Sequence, residues 1–501
     1  MAQPSPAARR APTHLTGLLV LAAVVSAISG LLYGYDTGII SGALLQIGDE
    51  FDIGHGAEQV ITGSILFGAV VGALACSRLS ERLGRRRTIL VVAAIFVIGS
   101  TASALAPSPA LLSLARVVLG FAVGGATQTV PMYVAELAPA PRRGRLVLTF
   151  QVAIGVGIVL ATIVGASEAV SWRAAIGSAA VPAAVMLALV FRLPESPRWL
   201  VKRDAVDEAR TALAQVRPDG CDVEPELDEI RCLEDRERQA DARGWDGLRQ
   251  AWVRPAVVVG CGIAIFTQLS GIEMIVYYAP TILTDNGFSD SAALRVSVGL
   301  GVTYLIMMVV GLAIIDRIGR RRLTLTMIPG AAVALAVLGG LFVTGHDGRG
   351  STGFIIACLI VFMFFNAGGL QLMGWLTGSE IYPLAVRGAG TSLQAAALWA
   401  TNLAITLTLL TMIDAIGSGG AMWVYAGFNV LAWLFVWRRM PELSGRSLEQ
   451  IETSLRHGRF RPADVARATE DGAGDDDRAG RFTREGQPAD ATAAGAARAT
   501  R

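Results

Sequence analysis

The sequence predicts an all-α membrane protein of twelve transmembrane helices, arranged as two six-helix pseudo-repeat bundles. Three observations carry this. Of the 501 residues 53% are hydrophobic and 17% charged, with a mean hydropathy of +0.51, a balance that excludes a string of soluble domains. Apolar runs of roughly 18 to 25 residues, each long enough to cross a bilayer, recur about twelve times. Basic residues collect in alternate connecting loops, and motifs of the first half return in the same order in the second.

In chain order, the first six spans are expected at 15–45, 58–78, 88–106, 110–137, 145–167 and 171–193. The second six are expected at 255–284, 293–315, 322–344, 352–379, 389–414 and 419–438. Arg9 and Arg10, the cluster at 82–87, Arg142 to Arg145, the segment 195–254, the cluster at 317–322, Arg387, Arg438 and Arg439 fall on one face. The opposite loops carry Asp49, Glu50, Asp52, Glu168, Asp285, Asp290, Asp347 and Asp414, with few basic residues. By the positive-inside rule, both termini are expected in the cytoplasm and the chain in the cell membrane. No cleavable signal peptide is expected, because the first run is too long and carries Asp36 instead of a small-residue cleavage site.

The domain boundaries follow: a cytoplasmic segment 1–14, a bundle 15–194, a cytoplasmic linker 195–254, a bundle 255–440 and a cytoplasmic tail 441–501. In the linker Ala209, Leu213 and Val216, then Leu227, Ile230 and Leu233, recur at helical spacing among charges, the pattern of amphipathic helices. Past about 458 the tail has few large apolar side chains and is expected to be disordered. Cys76, Cys221, Cys232, Cys261 and Cys358 show neither metal nor redox spacing, so no disulfide framework, metal or cofactor is expected.

The internal repeat is specific. Arg82-Leu83-Gly84-Arg85-Arg86 returns as Arg317-Ile318-Gly319-Arg320-Arg321. Glu136 followed by Arg143-Gly144 returns as Glu380 followed by Arg387-Gly388, and Pro194-Glu195 returns as Pro441-Glu442. Parallel repeats of this kind place a substrate site near the bilayer midplane and alternate access by rocking. Arg82, Arg85, Arg143, Arg198, Arg317, Arg320 and Arg387 can meet Glu136, Glu195, Glu380 and Glu442 at the cytoplasmic helix ends. They would form ionic latches that hold an outward-facing state; the alternative is that the arginines only orient the chain.

Asp36 lies in the apolar run 15–45, within Gly30-Leu31-Leu32-Tyr33-Gly34-Tyr35-Asp36-Thr37-Gly38. An ionisable side chain there is costly and marks a functional site with a partner to be found. Nothing in the chain suggests catalysis or nucleic-acid binding, and no phosphate-binding Gly-Lys-Ser/Thr loop is present for direct use of ATP.

Pro131-Met132-Tyr133-Val134-Ala135-Glu136, Arg143-Gly144, Pro194-Glu195-Ser196-Pro197-Arg198-Trp199-Leu200 and Pro441-Glu442-Leu443-Ser444-Gly445-Arg446 resemble the signatures of the sugar porter family of the major facilitator superfamily. That family includes bacterial proton-xylose symporters and facilitative glucose transporters. The resemblance covers about residues 15–455 and implies the major facilitator fold. It also implies that Asp36 in the first helix faces Arg116 in the fourth, as in proton-coupled members; facilitative glucose transporters typically lack the acid. Burial disfavours the Asp36 charge while Arg116 favours it, so a small change in their separation can load or release a proton. A static buried ion pair is the alternative.

The resemblance also places substrate-binding residues at Tyr33, Gln151, Thr267, Gln268, Glu273, Tyr277, Tyr304, Trp375 and Trp399. Amides supply both donor and acceptor to a polyhydroxylated solute, and aromatic faces cover its C–H surface. Four positions depart from the family pattern. Thr267 stands for the first of two adjacent glutamines, Glu273 for an asparagine and Tyr304 for a polar residue of the eighth helix, and the residue before Trp399 is Leu398. Glu273 could bind an amino-bearing substrate, join the proton pathway, or be a neutral acid satisfied within its own helix.

The expected function is therefore secondary active transport, proton-coupled symport of a sugar or sugar-like solute by alternating access, by a functional monomer in a lipid bilayer. The alternatives are a facilitative uniporter, a proton-driven exporter of a polyol, amino sugar or other small polar molecule, and a nutrient sensor.

Overall fold

The computed structural model describes residues 16–139, 142–167, 169–218, 220–239, 244–344, 352–444, 448–458, 460 and 462. The expected disordered tail past about 458, apart from these last two residues, and the segment 1–14 lie outside them.

Hydrophobic length dictates the elements. Helices α1 (Gly17–Phe51), α2 (His55–Leu83), α3 (Arg85–Ala104), α4 (Pro109–Leu137) and α5 (Arg143–Gly165) each suffice for one pass, as does the pair α6 (Trp172–Ser178) and α7 (Ala180–Val190). Short helices α8 (Pro197–Lys202), α9 (Val206–Gln215), α10 (Glu224–Gln239) and α11 (Gly244–Gly247) then lie along one face. The second half comprises α12 (Arg254–Leu269), α13 (Ile272–Asp285), α14 (Asp290–Ile318), α15 (Arg320–Val343), α16 (Thr352–Ala367), α17 (Leu370–Ile381) and α18 (Arg387–Arg439), with α19 (Leu448–Arg456) after it.

Four elements differ from the expected spans, the first being 171–193, which is divided between α6 and α7. The run 255–284 is broken into α12 and α13 at Gly271, whose φ of 93° no side-chain-bearing residue adopts cheaply. The Ser270 carbonyl freed by that break accepts from Asn429 Nδ2 at 2.8 Å, the compensation an interrupted helix needs inside a membrane. Residues 352–379 are likewise split between α16 and α17. In contrast, the expected gap between 414 and 419 closes: α18 runs through it, its helical backbone interrupted only at Gly417 (φ 75°, ψ 161°). The segment Leu384–Arg439 has 56 residues, enough for two passes.

Small residues set the helix spacing. Gly30, Gly34, Gly38 and Gly42 repeat every four residues on one stripe of α1, against the backbone of α5 from Phe150 to Gly165. A methyl group on Gly34 would collide with the Ile154 carbonyl, so the two helices pack backbone to backbone. The linker docks on the arginine-rich face: Trp199 Nε1 donates to the Glu81 carbonyl at 2.9 Å, and Arg217 bridges Glu226 and the Leu137 carbonyl at the end of α4.

Candidate functional site

Asp36 on α1 and Arg116 on α4 are both buried, and Arg116 Nη1 lies 3.8 Å from Asp36 Oδ1. That separation is an ion pair without a direct hydrogen bond. Arg116 Nε donates to the Ile61 carbonyl of α2 at 3.0 Å, whereas Nη1 has no hydrogen-bond partner. The guanidinium is thus anchored at one nitrogen and poised toward the acid with another.

The aromatic wall comes from both halves. Tyr33, one turn before Asp36, meets Trp399 of α18 edge to face, with centroids 5.3 Å apart, and Trp399 meets Trp375 of α17 at 6.3 Å. The break at Gly271 starts α13 with Glu273 in its first turn. Glu273 Oε1 faces Gln371 Nε2 at 3.5 Å and lies within electrostatic reach of Tyr33, Tyr277 and Tyr304. The Tyr277 hydroxyl accepts from Asn402 Nδ2 at 3.4 Å. Gln268 is buried with Oε1 unpartnered, and so are Gln371 Oε1 and Trp399 Nε1. Such atoms are the polar handles expected of a ligand site, because a buried polar group without a partner is costly.

Two residues sit less directly. The Thr267 hydroxyl donates to the Ile263 carbonyl of its own helix at 2.8 Å, so it is already engaged in α12. Gln151 is half-buried on α5. One turn on, Gly155 abuts Leu305 and Met308 of α14, which turns this face toward the helix that carries Tyr304. Sequence reasoning missed Gln371 and Asn402. The available signal was a lone amide in an apolar membrane span, the same signal that singled out Asp36.

The repeated charge motifs build two matching clusters. Arg85 pairs with Glu136 at 3.0 Å and with Glu81 at 3.0 Å, while the Glu195 carboxylate accepts from the backbone N–H groups of Arg85 and Arg86 at the start of α3. Ser196 donates to Glu136. In the second half Arg320 pairs with Glu380 and Asp316, each at 2.8 Å. Glu442 accepts from the backbone of Arg320 and Arg321 at the start of α15. A carboxylate at a helix N-terminus answers both the unsatisfied N–H groups and the dipole.

Each cluster is internal to its own half. Arg82 and Arg317 are exposed, Arg143 and Arg198 lie near each other and near the linker's Glu226, and Arg387 donates to the Tyr382 carbonyl. Among the described residues, side-chain contacts between the halves lie elsewhere. His55 at the start of α2 is 3.0 Å from Asp414 and 3.8 Å from Asp285, on the face opposite the arginine clusters. In this conformation Arg85 and Arg320 pair within their own halves, while the halves also meet at His55 on the opposite face and through Gln128 Nε2, which donates to Thr391 Oγ1 at 3.3 Å. Among the described residues no cluster of three or more His, Cys, Asp or Glu side chains could hold a metal ion.

The family described as sugar (and other) transporter matches residues 22–455. The chain belongs to the sugar porter family of the major facilitator superfamily. It is 36% identical to the D-xylose transporter of Levilactobacillus brevis, over 86% of this chain and 94% of that protein. It is also 36% identical to the galactose-proton symporter of Escherichia coli strain K12, over 87% and 94%. The partially occluded inward-open structure of the xylose transporter XylE from E. coli superposes with a TM-score of 0.74 at 28% identity, covering 86% of this chain and 100% of that one. This sugar porter is a multi-pass membrane protein and a transporter, not an enzyme.

Proposed function

We propose that the protein is a proton-coupled symporter of a sugar or sugar-like solute, working by alternating access with no covalent chemistry. The observation that carries this reading is the buried Asp36–Arg116 pair, one helical turn from an aromatic and amide site built by both halves. Asp36 and Arg116 exchange the proton. Tyr33, Gln151, Gln268, Glu273, Tyr277, Tyr304, Trp375 and Trp399 contact the solute, joined by Gln371.

Rocking of the halves opens the face of His55, Asp285 and Asp414 and draws the two arginine–glutamate clusters together. The arginine-rich face, with both termini, is cytoplasmic, which makes the described state closed toward the exterior. The functions of these relatives, D-xylose transport and galactose-proton symport, support the solute class and the coupling.

The test is uptake into vesicles of the purified monomer under an imposed pH gradient, over a panel of sugars and polyols. Accumulation that collapses with an uncoupler is expected. Equilibration without accumulation would replace the reading by a uniporter, and efflux driven by inward proton flow would replace it by an exporter. Binding without counterflow would leave a sensor.

A further inference from the structure

The central site holds one acid for which the described residues supply no counter-charge. Glu273 is 5% exposed, in the first turn after the break at Gly271. The guanidinium of Arg116 is committed to Asp36 and to the Ile61 carbonyl. Among the described residues no ion pair reaches Glu273; its polar neighbours are the Gln371 amide and the hydroxyls of Tyr277, Tyr304 and Tyr33. A carboxylate buried without a cation costs several kcal/mol unless something else neutralises it.

The surroundings define what that something is. Gln268 Oε1 and Gln371 Oε1, both more than nine-tenths buried, have no donor. The Gln371 amide, whose Nε2 lies 3.5 Å from Glu273 Oε1, sets one of these free oxygens beside the acid, with the hydroxyls of Tyr33, Tyr277 and Tyr304 around it. A neutral polyol offers hydroxyl donors but leaves Glu273 uncompensated. A protonated primary amine supplies the missing charge and three N–H donors at one atom.

We propose that the central site selects a sugar-like solute bearing a protonated amino group, with Glu273 as its counter-ion and the Gln371 oxygen as a further acceptor. This rests on reading the site as the transport site, but not on proton coupling. Nor does it follow from the two relatives named above, which carry the neutral sugars D-xylose and galactose.

The test is counterflow in proteoliposomes without any pH gradient, so that a failure of proton coupling leaves it intact. The probes are D-glucosamine and amino-substituted inositols, each against its hydroxyl counterpart and its N-acetyl derivative, with thermal shift of the purified protein as a second readout. At least a tenfold preference for the amines is expected. In Glu273→Gln the ratio of amine to hydroxyl counterflow should fall to near one, with an unchanged melting temperature of the solute-free protein showing that the variant folds, and Glu273→Asp should restore part of the preference. Equal handling of amine and hydroxyl forms by the wild type overturns the proposal, as does a preference that survives in Glu273→Gln. A Glu273→Gln change confined to the pH dependence of neutral-sugar uptake also overturns it and makes Glu273 a proton carrier. No response to either set of probes overturns both this proposal and the transport-site reading.

Discussion

His55 Nδ1 stands 3.0 Å from Asp414 Oδ1, joining the start of α2 to α18 across the two halves. The Asp285 carboxylate, 3.8 Å from the other ring nitrogen, extends the contact to α13. Directly below, Thr411 Oγ1 and the Gln59 amide are 3.0 Å apart, so polar contacts close this face in two layers.

The pair is half-exposed, which caps its worth at about 1 kcal/mol. Replacing His55 by Ala should therefore shift the balance between the two access states by up to about fivefold toward opening of this face. Spin-label distances between α2 and α18 would measure the shift. Unchanged distance distributions in both His55→Ala and Asp414→Asn would show that the contact does not hold the state.

Asp36→Asn should abolish accumulation while leaving counterflow of the same solute. The reverse single change, Arg116→Gln, leaves Asp36 buried without its cation and should cost about 3–5 kcal/mol, seen as loss of folded protein in detergent. Adding Asp36→Asn to Arg116→Gln should recover much of the yield, because a neutral pair is cheaper to bury than a lone charge. A double variant no better folded than Arg116→Gln would mean that Arg116 is held for its bond to the Ile61 carbonyl and not for the acid.

Glu195 and Glu442 do the same work in the two halves, each accepting two N–H groups at the start of a helix. Replacing either by Ala should lower stability by about 1–2 kcal/mol, with similar falls in melting temperature. Glu195→Gln, which keeps an acceptor but not the charge, should lose less. Unequal effects of the two alanine variants would show that the repeat is matched in sequence but not in energetics.

Gly34→Ala should be among the most damaging single-methyl changes in the chain, because α1 and α5 can make room for it only by separating. A loss of about 1–3 kcal/mol is expected. Gly17, with nothing within 4 Å of an added Cβ, is the control and should tolerate Ala. Thermal unfolding of the two variants in the same detergent decides the comparison.

Gln371 makes its contact through Nε2 while Oε1 has no donor, so Gln371→Leu should weaken solute binding without touching Asp36. Losing one hydrogen bond in such a site costs about 1–1.5 kcal/mol, roughly five- to twelvefold in apparent affinity. A counterflow half-saturation unchanged in Gln371→Leu would remove this residue from the site.

Hydropathy and charge are properties of the chain read locally, so the sequence alone determined the number and order of membrane passes. It also determined the two-fold repeat and the presence of a costly acid at Asp36 with a candidate partner at Arg116. Motif by motif, it led to the family. Which side chains meet was decided by tertiary packing, since contacts between residues hundreds of positions apart depend on helix rotation, tilt and the breaks that interrupt them. The turn at Gly271 sets Glu273 opposite Gln371, a partner that no spacing connects to it. The same packing keeps Arg85 with Glu136 and Arg320 with Glu380 inside their own halves, leaving His55, Asp285 and Asp414 to join the bundles on the other face. A linear pattern records which groups are expensive to bury; only the folded chain decides which neighbour offsets the cost.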